Sequence, residues 1–289
     1  VPGDRHQRHD ICQEIFAIQS IGLATRLEHT GIKEAVIGVS GGLDSTLALL
    51  VAVEACNRLG LSHDHIHAIT MPGFGTSERT LANVEELCGE LGVALETINI
   101  HDACENHFED IGHDGETHDT TFENVQARER TQVLMDKANM LNALVVGTGD
   151  LSELALGWCT YNADHMSMYT VNAGVPKTLV TFLVEYVAEQ WADQDVAATL
   201  HDILDTPISP ELLPPDHNGD IADFDATIAI GSKYADVTII DKEDTIQREL
   251  SPDDEALENV GDVEEDVQDS EHGTSEEHVS TEDWWGEIP

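Results

Sequence analysis

The chain has 289 residues, 40% of them hydrophobic, and its 57 acidic side chains outnumber 13 basic ones to give a net charge of −44. That length holds one large domain or two small ones, with an ample core. The charge argues against nucleic acid and anionic membrane as partners, since no basic patch is visible to overcome the repulsion.

Residues 249–289 hold 16 acidic residues and no Lys or Arg, so residues 1–248 keep a net charge of −28. An acidic body with only five lysines suits a protein dissolved in molar salt, where cations screen self-repulsion, and the source reads as a halophile. Cys12, Cys56, Cys88, Cys104 and Cys159 include no C-x-x-C pair. In a long chain they read as free buried thiols in a reducing, cytoplasmic compartment. No run approaches the roughly 20 apolar residues of a membrane span. No signal peptide is evident, and a start at Val1 in place of Met reads as a piece processed or excised from something longer.

In chain order, residues 11–30 predict a helix, with Ile11, Ile15, Ile18 and Leu27 at helical spacing and Gly31 as its stop. Short apolar segments predict strands at 35–40, 67–72, 94–100 and 143–149, separated by helical patterns at 44–59, 77–91 and 122–140. Such alternation predicts an α/β fold, a Rossmann-like doubly wound parallel sheet with helices on both faces. Ligands in these sheets sit at the carboxyl ends of the strands. A further helix runs from Pro176 to about Gln190, with Leu179, Phe182, Leu183 and Tyr186 on one face. Proline-rich "TPISPELLPP" (206–215) breaks regular structure, and "VTII" from Val237 is a short strand. The acidic sequence beyond it predicts disorder. Trp284 and Trp285 are unusual there, and docking onto the body, docking onto a partner and plain exposure all remain open.

The stretch "VIGVSGGLDSTLALL" (36–50) joins a strand to a helix through a glycine-rich turn. It fits neither G-x-x-x-x-G-K-[ST] nor G-x-G-x-x-G. Gly41 and Gly42 let backbone N–H groups approach an anion closely, Ser40, Ser45 and Thr46 add hydroxyls, and the helix start adds positive potential. Asp44 makes sense in an anion loop if Mg²⁺ sits between its carboxylate and a phosphate, because that hard ion takes oxygen from both. The loop therefore predicts a magnesium-bound pyrophosphate. The plainer alternative is a strand–turn–helix joint with two glycines for packing.

Ser-Gly-Gly-x-Asp-Ser at 40–45 resembles the pyrophosphate loop of the N-type ATP pyrophosphatases. That superfamily, with an adenine nucleotide alpha hydrolase-like fold, cleaves ATP to AMP and pyrophosphate while adenylating a substrate oxygen. The loop alone does not separate NAD synthetase from GMP, tRNA lysidine or argininosuccinate synthetase. "HAITMPGFGTSERT" (67–80), "FENVQARERTQVLMD" (122–136), the segment 144–180 and "DTPISPELLPP" (205–215) all resemble NAD synthetase, most of all the synthetase half of the glutamine-dependent enzymes. "CQEIFAIQSIGLATRLEHTGIK" (12–33) resembles the helix that follows the glutaminase domain there. The blocks span about residues 10–222 in the family's order.

The resemblance implies ATP-dependent amidation of deamido-NAD through an adenylate, with Mg²⁺ as cofactor and ATP as co-substrate. It implies ATP contacts from Ser40, Gly41, Gly42, Asp44, Ser45, Met71, Thr148 and Lys177, with Asp44 and Lys177 catalytic. Asp44 and Glu153 would be the Mg²⁺ ligands. Asn124 and Arg128, four apart on one helical face, and Asp164 would hold deamido-NAD. The loop Met71–Ser77 would close around adenine, with Gly73 and Gly75 allowing the turn. Arg130 lies off the Asn124–Arg128 face and reads as an ion pair with Glu123 or Glu129. A solvated surface lysine is the plainer alternative for Lys177.

The residues also mark departures from the family. The chain has no glutaminase domain, so ammonia is expected free or from a glutaminase domain or subunit. Past Ile221 the family pattern ends, which puts the active-site lid and the expected homodimer in question. Ala163 replaces a usual glycine beside Asp164. Domains are expected at 1–225 (synthetase), 226–248 (divergent segment) and 249–289 (tail). A sibling ligase with another carboxyl acceptor and a nucleotide-binding remnant without turnover are the competing readings. His63, His65 and His67 alternate as on an extended strand, which suits a metal or a polar strand entry equally, with no acidic partner in the pattern. His113 and His118 read as surface residues of a mobile loop.

Overall fold

The computed structural model describes residues 5–190, 194–206 and 212, together with the strand backbone of 227–229, 235–240 and 245–250. By backbone contacts the chain divides into Val1–Glu249 and Leu250–Pro289. Of the expected tail only the backbone of 249–250 is described; Trp284 and Trp285 lie outside the described residues, as does most of 206–215.

The first unit is built on a 5-stranded sheet in the order β3-β2-β1-β4-β5, all neighbours parallel. Its strands are β1 (Glu34–Gly38), β2 (Ile66–Thr70), β3 (Ala94–Thr97), β4 (Ala143–Gly147) and β5 (Tyr169–Thr170). The predicted strands each end up to three residues too late, because the polar turn at each carboxyl end has already left the sheet. Chain order reverses between β1 and β4, and this is where a doubly wound sheet opens a crevice for ligands.

Alternate residues of the strands feed two cores. Ala35, Ile37 and Val146 point into the larger one, with α1 (Arg5–Thr30), α2 (Leu43–Leu59), α3 (Glu78–Leu91), α7 (Lys177–Gln190) and α8 (Gln194–Leu204). Val36, Ile69 and Val145 point into the other, with α4 (His101–Ile111) and α5 (Thr120–Leu141). Both faces are therefore covered, which is why the central strands β1 and β4 are nearly continuously apolar, whereas β3 at the sheet edge is largely exposed.

Two predicted helical faces are rotated. On α1 the buried face is Cys12, Phe16, Leu23 and Leu27, and Ile18 is 62% exposed. On α7 it is Val180, Leu183, Val184 and Val187, while Leu179, Phe182 and Tyr186 pack at the margin. The strand predicted at Val237 lies in β7 (Ala235–Ile240), which pairs antiparallel with β6 (Thr227–Ala229) in a 3-stranded sheet completed by β8 (Thr245–Leu250). β8 thus falls inside sequence that predicted disorder. All five cysteines are free, and Cys159 is only partly buried. No described helix is long and apolar enough to cross a membrane.

Candidate active site at the ends of β1 and β4

The turn after β1 closes on itself. Ser40 N–H donates to Ser45 Oγ at 3.2 Å, Gly42 N–H donates to Ser40 Oγ at 3.2 Å, and Ser45 Oγ donates to the Gly42 carbonyl at 3.0 Å. Gly41 has φ +87°, and a Cβ there would lie 2.8 Å from the Thr80 carbonyl, so only glycine fits. The N-cap of α2 is Gly42, which has no side chain to cap the first N–H groups. A helix start left open in this way is a ready anion site.

Three carboxylates meet beside this turn. Asp44, on the first turn of α2, is joined by Asp150 and Glu153 from α6 (Leu151–Leu156), with one ligand atom of each within 4.8 Å of the others. Among the described residues no other such group of His, Cys, Asp or Glu occurs. Asp150 and Glu153 form a capping box at the start of α6. Lys177, first residue of α7, donates from Nζ to Asp44 Oδ2 and at 3.4 Å to Glu153 Oε1, and lies 3.6 Å from Asp150 Oδ2. Its backbone N–H donates to Ser152 Oγ at 3.0 Å, which fixes α7 to α6.

One ammonium cannot balance three carboxylates. Burial pushes the Asp44 carboxyl above its ordinary range against the pull of Lys177, with Asp150 adding to the rise. Burial likewise raises Glu153, and Asp44 reinforces it against the pull of Lys177 and of the Asp150 N–H. The Lys177 ammonium is held charged: burial works against it, but Asp44, Glu153 and Asp150 together outweigh burial. Asp44 Oδ1 and Asp150 Oδ2 are buried without a hydrogen-bond partner. Buried carboxylate oxygens without donors are costly. A hard divalent cation bound through oxygen fits these residues on both counts.

Asn172, fully buried, donates to the carbonyls of Asp44 and Thr148, both at 2.9 Å, and so fixes the spacing of the two turns. Gln19 of α1 in turn donates to Asn172 Oδ1 at 3.0 Å.

Helix α5 carries loops on two faces. On one, Asn124 Oδ1 accepts from Thr160 Oγ1 at 2.7 Å and Arg128 Nε donates to the Tyr161 carbonyl at 3.3 Å. Asp164 Oδ1 accepts the Thr160 N–H at 2.9 Å, so Asn124, Arg128 and Asp164 are brought together through residues 160–161. Buried Ala163 turns within this loop, its N–H donating to the Thr160 carbonyl at 3.1 Å. On the other face, buried Gln126 accepts the Phe74 N–H at 3.2 Å and donates to the Leu212 carbonyl at 3.0 Å. Arg130 Nε donates to the Met71 carbonyl at 3.2 Å, so it contributes to the 71–77 loop, whatever its charge partner. A Cβ at Gly73 would lie 2.6 Å from Gln126 Oε1, so a larger residue there would have to displace the side chain that bonds the Phe74 N–H.

A profile described as NAD synthase matches residues 16–272. The chain belongs to the NAD synthase family. Within that family, the glutamine-dependent NAD(+) synthetase of Mycobacterium leprae is 48% identical over 222 residues, which make up 75% of this chain and 33% of that protein. The Mycobacterium tuberculosis H37Rv enzyme of the same description is 47% identical over 221 residues, 74% of this chain and 32% of its own. The chain thus spans about a third of the length of these curated relatives. Among solved structures, glutamine-dependent NAD+ synthetase from Acinetobacter baumannii in complex with ADP superposes with a TM-score of 0.62 at 29% identity, over 69% of this chain and 36% of that one. NMN synthetase from Francisella tularensis shares the fold, with a TM-score of 0.59 at 24% identity over 73% of this chain and 79% of its own.

Within this chain the predicted residues fall into two groups. Ser40, Gly41, Gly42, Asp44, Ser45, Glu153 and Lys177 surround the carboxylate cluster, with Thr148 tied to it through Asn172. Asn124, Arg128 and Asp164 gather along α5, and Met71 begins the loop that α5 holds. Sequence reasoning misses Asp150, Asn172 and Gln126. Asp150 alone had a local signal, the Asp-x-x-Glu spacing of a capping box.

The histidines depart from expectation. His63–His65 is a 3-10 turn, and His63 bonds the Leu91 carbonyl at 2.6 Å. His65 and His67 each bond one oxygen of Glu34, at 2.7 and 2.8 Å, so an acidic partner exists after all. They splay to either side of it and do not converge on a metal. The 113–119 loop is densely bonded: His113 reaches Asp119 at 3.2 Å and packs on Phe108, leaving its side chain 12% exposed. A shallow groove of 540 Å³ between α3 and α8 is lined by Glu85, Glu86, Glu90, Asp195 and Asp202, a charge that repels phosphates.

Proposed function

We propose that this chain carries out the synthetase reaction of an NAD synthetase: ATP-dependent amidation of deamido-NAD to NAD, with AMP and pyrophosphate as products. The observation that supports this most is the Asp44–Asp150–Glu153–Lys177 cluster set on the Ser40–Ser45 turn, at the point where the strand order reverses.

In this reading a nicotinate carboxylate oxygen attacks the α-phosphorus of ATP, and the bond to pyrophosphate breaks. The nitrogen of ammonia then attacks the acyl carbon, the bond to AMP breaks, and nitrogen loses a proton to solvent. Ser40, Ser45 and the N–H groups at the start of α2 receive the departing pyrophosphate. Lys177 offsets its charge as a point cation. Asp44 and Glu153 would hold Mg²⁺, which when bound neutralises phosphate charge. Met71 and Thr148 flank the AMP portion. Asn124, Arg128 and Asp164 orient the dinucleotide, whose own pyrophosphate suits an arginine. No side chain acts as a strong base, because ammonia arrives neutral. Positioning and charge neutralisation carry the rate.

Ammonia comes from solution or from a glutaminase domain or subunit, and the working form is a homodimer in the salt-rich cytoplasm of a halophile. The test is an assay in molar KCl containing ATP, Mg²⁺, deamido-NAD and ammonium. NAD formation supports the reading; nucleotide binding without turnover removes it. A parallel reaction with glutamine in place of ammonium reports whether the chain needs a glutaminase partner.

A further inference from the structure

We propose that Asp44, Asp150 and Glu153 form a three-armed seat for a divalent cation, that Lys177 fills this seat while no metal is bound, and that metal entry and lysine release are one event. The inference rests on the reading above for the Mg²⁺–ATP chemistry and adds to it Asp150 and the exchange itself.

One ammonium leaves three clustered carboxylates short of positive charge, which a divalent cation would supply. Nζ of Lys177 lies within 3.6 Å of an oxygen from each carboxylate, so the ammonium sits among all three. It hydrogen-bonds Asp44 and Glu153 but not Asp150. Asp150 is fully buried, its Oδ1 is used in capping Glu153, and its Oδ2 faces the cluster without a donor. A neutral or solvated residue would serve a capping box equally well, so the cap alone does not explain a carboxylate at this depth.

A divalent ion suits the same space better. Mg²⁺ takes oxygen at about 2.0–2.1 Å, which puts two of its ligands about 3–4 Å apart. Three oxygens within 4.8 Å of one another reach that spacing by small side-chain adjustments. The metal and the ammonium cannot share the space between those oxygens. Lys177 has somewhere to go: its side chain is 45% exposed on a flexible four-carbon stem. Released, it is a free cation beside the Ser40–Ser45 turn when a metal-bound phosphate chain arrives. Retained, it neutralises part of a seat that would otherwise be three unpaired carboxylates. The lysine thereby weakens metal binding in the absence of nucleotide, as any competing conformation does.

The test measures Mn²⁺ binding without nucleotide, from the EPR signal of the free ion, in molar KCl so that the acidic surface does not bind metal nonspecifically. Lys177→Met is expected to bind one Mn²⁺ about tenfold or more tighter than wild type. Adding Asp150→Asn to that variant reverses the gain, as does adding Glu153→Gln. If Lys177→Met binds Mn²⁺ no tighter than wild type, the exchange is wrong; if Asp150→Asn leaves its affinity unchanged, Asp150 is not an arm of the seat. Thermal melts check that each variant is folded. Independently, wild-type protein is treated with an amine-acylating reagent, and Mn²⁺ or Mg²⁺ should raise labelling of Lys177 several-fold relative to exposed Lys33. Unchanged Lys177 labelling at saturating metal overturns the proposal even if no variant folds. NAD formation is scored separately, so a metal-exchanging protein that makes no NAD defeats only the reaction assignment.

Discussion

Asp150 and Glu153 cap one another: the Asp150 carboxylate accepts the Glu153 N–H at 2.8 Å, and the Glu153 carboxylate accepts the Asp150 N–H at 3.1 Å. Because Asn caps as well as Asp, and Gln serves in a capping box as Glu does, Asp150→Asn and Glu153→Gln remove charge while keeping the cap. Both variants should melt close to wild type yet lose about two orders of magnitude or more in kcat. Asp150→Ala should lose the cap as well, at a cost of about 1 kcal/mol. Melts paired with steady-state kinetics check this, and near-normal turnover in Glu153→Gln would remove its role as a cation ligand.

Asn172 provides the next prediction. Its Nδ2 is the donor to two carbonyls, those of Asp44 and Thr148. Asn172→Asp removes that donor and buries a second acceptor against them. The expected loss is about 1–3 kcal/mol of stability, read as a lower denaturant midpoint at unchanged slope. Activity should fall at temperatures where the variant is still folded, because the spacing of the two turns relaxes.

Gly31 and Gly41 separate strain from crowding. Both have positive φ, +70° and +87°, but a Cβ at Gly31 meets nothing within 4 Å, while one at Gly41 meets Thr80 Cγ2 at 2.5 Å and the Thr80 carbonyl at 2.8 Å. Gly31→Ala should cost about 1 kcal/mol, the left-handed penalty alone, and leave KM for ATP unchanged. Gly41→Ala should also displace the Ser40–Ser45 turn from α3 and raise KM for ATP steeply. Equal kinetics in the two variants would mean the turn does not hold nucleotide.

Glu34 gives the pH prediction. Burial pushes its carboxyl up, but the hydrogen bonds and charges of His67 and His65 bring it below the ordinary value of 4.5. A carboxylate whose folded pKa is depressed stabilises the protein above its unfolded pKa and loses that contribution as pH falls through the folded one. The stability difference between wild type and Glu34→Gln should therefore shrink as pH falls below 4.5. Denaturant titrations at several pH values measure the difference directly.

A net charge of −44 sets the salt dependence. The screening length falls from about 10 Å at 0.1 M to about 3 Å at 1 M, so self-repulsion fades over that range. The thermal midpoint should rise with KCl well beyond 0.1 M. A midpoint insensitive to salt would count against the halophilic reading.

What the sequence reveals and what it hides divide along physical lines. The parallel sheet is legible because strands buried on both faces must be continuously apolar, and the Ser40–Ser45 turn is legible because its chemistry is contiguous. Helix α4 is missed because "HDACENHFEDI" is mostly polar and charged, and its apolar face, Cys104 and Phe108 at helical spacing, is narrow. Ile18 is misplaced for the opposite reason, an apolar residue left on the outside of α1. Asn172 and Gln126 are polar groups buried by tertiary packing, and nothing in their neighbours announces it; for Asp150 the Asp-x-x-Glu spacing announces a helix cap but not its burial. Glu34 lies 31 residues from His65, so the partner that explains the histidines appears only once β1 and β2 pair.

The central claim is that the carboxylate cluster and its turn release pyrophosphate from ATP while deamido-NAD is amidated. Its most direct test quantifies all products of one reaction containing this chain, ATP, Mg²⁺, deamido-NAD and ammonium in molar KCl. The account predicts NAD, AMP and pyrophosphate in equal amounts, all lost together in Asp44→Asn. Formation of ADP and phosphate, or of NAD at an undiminished rate in Asp44→Asn, would contradict it.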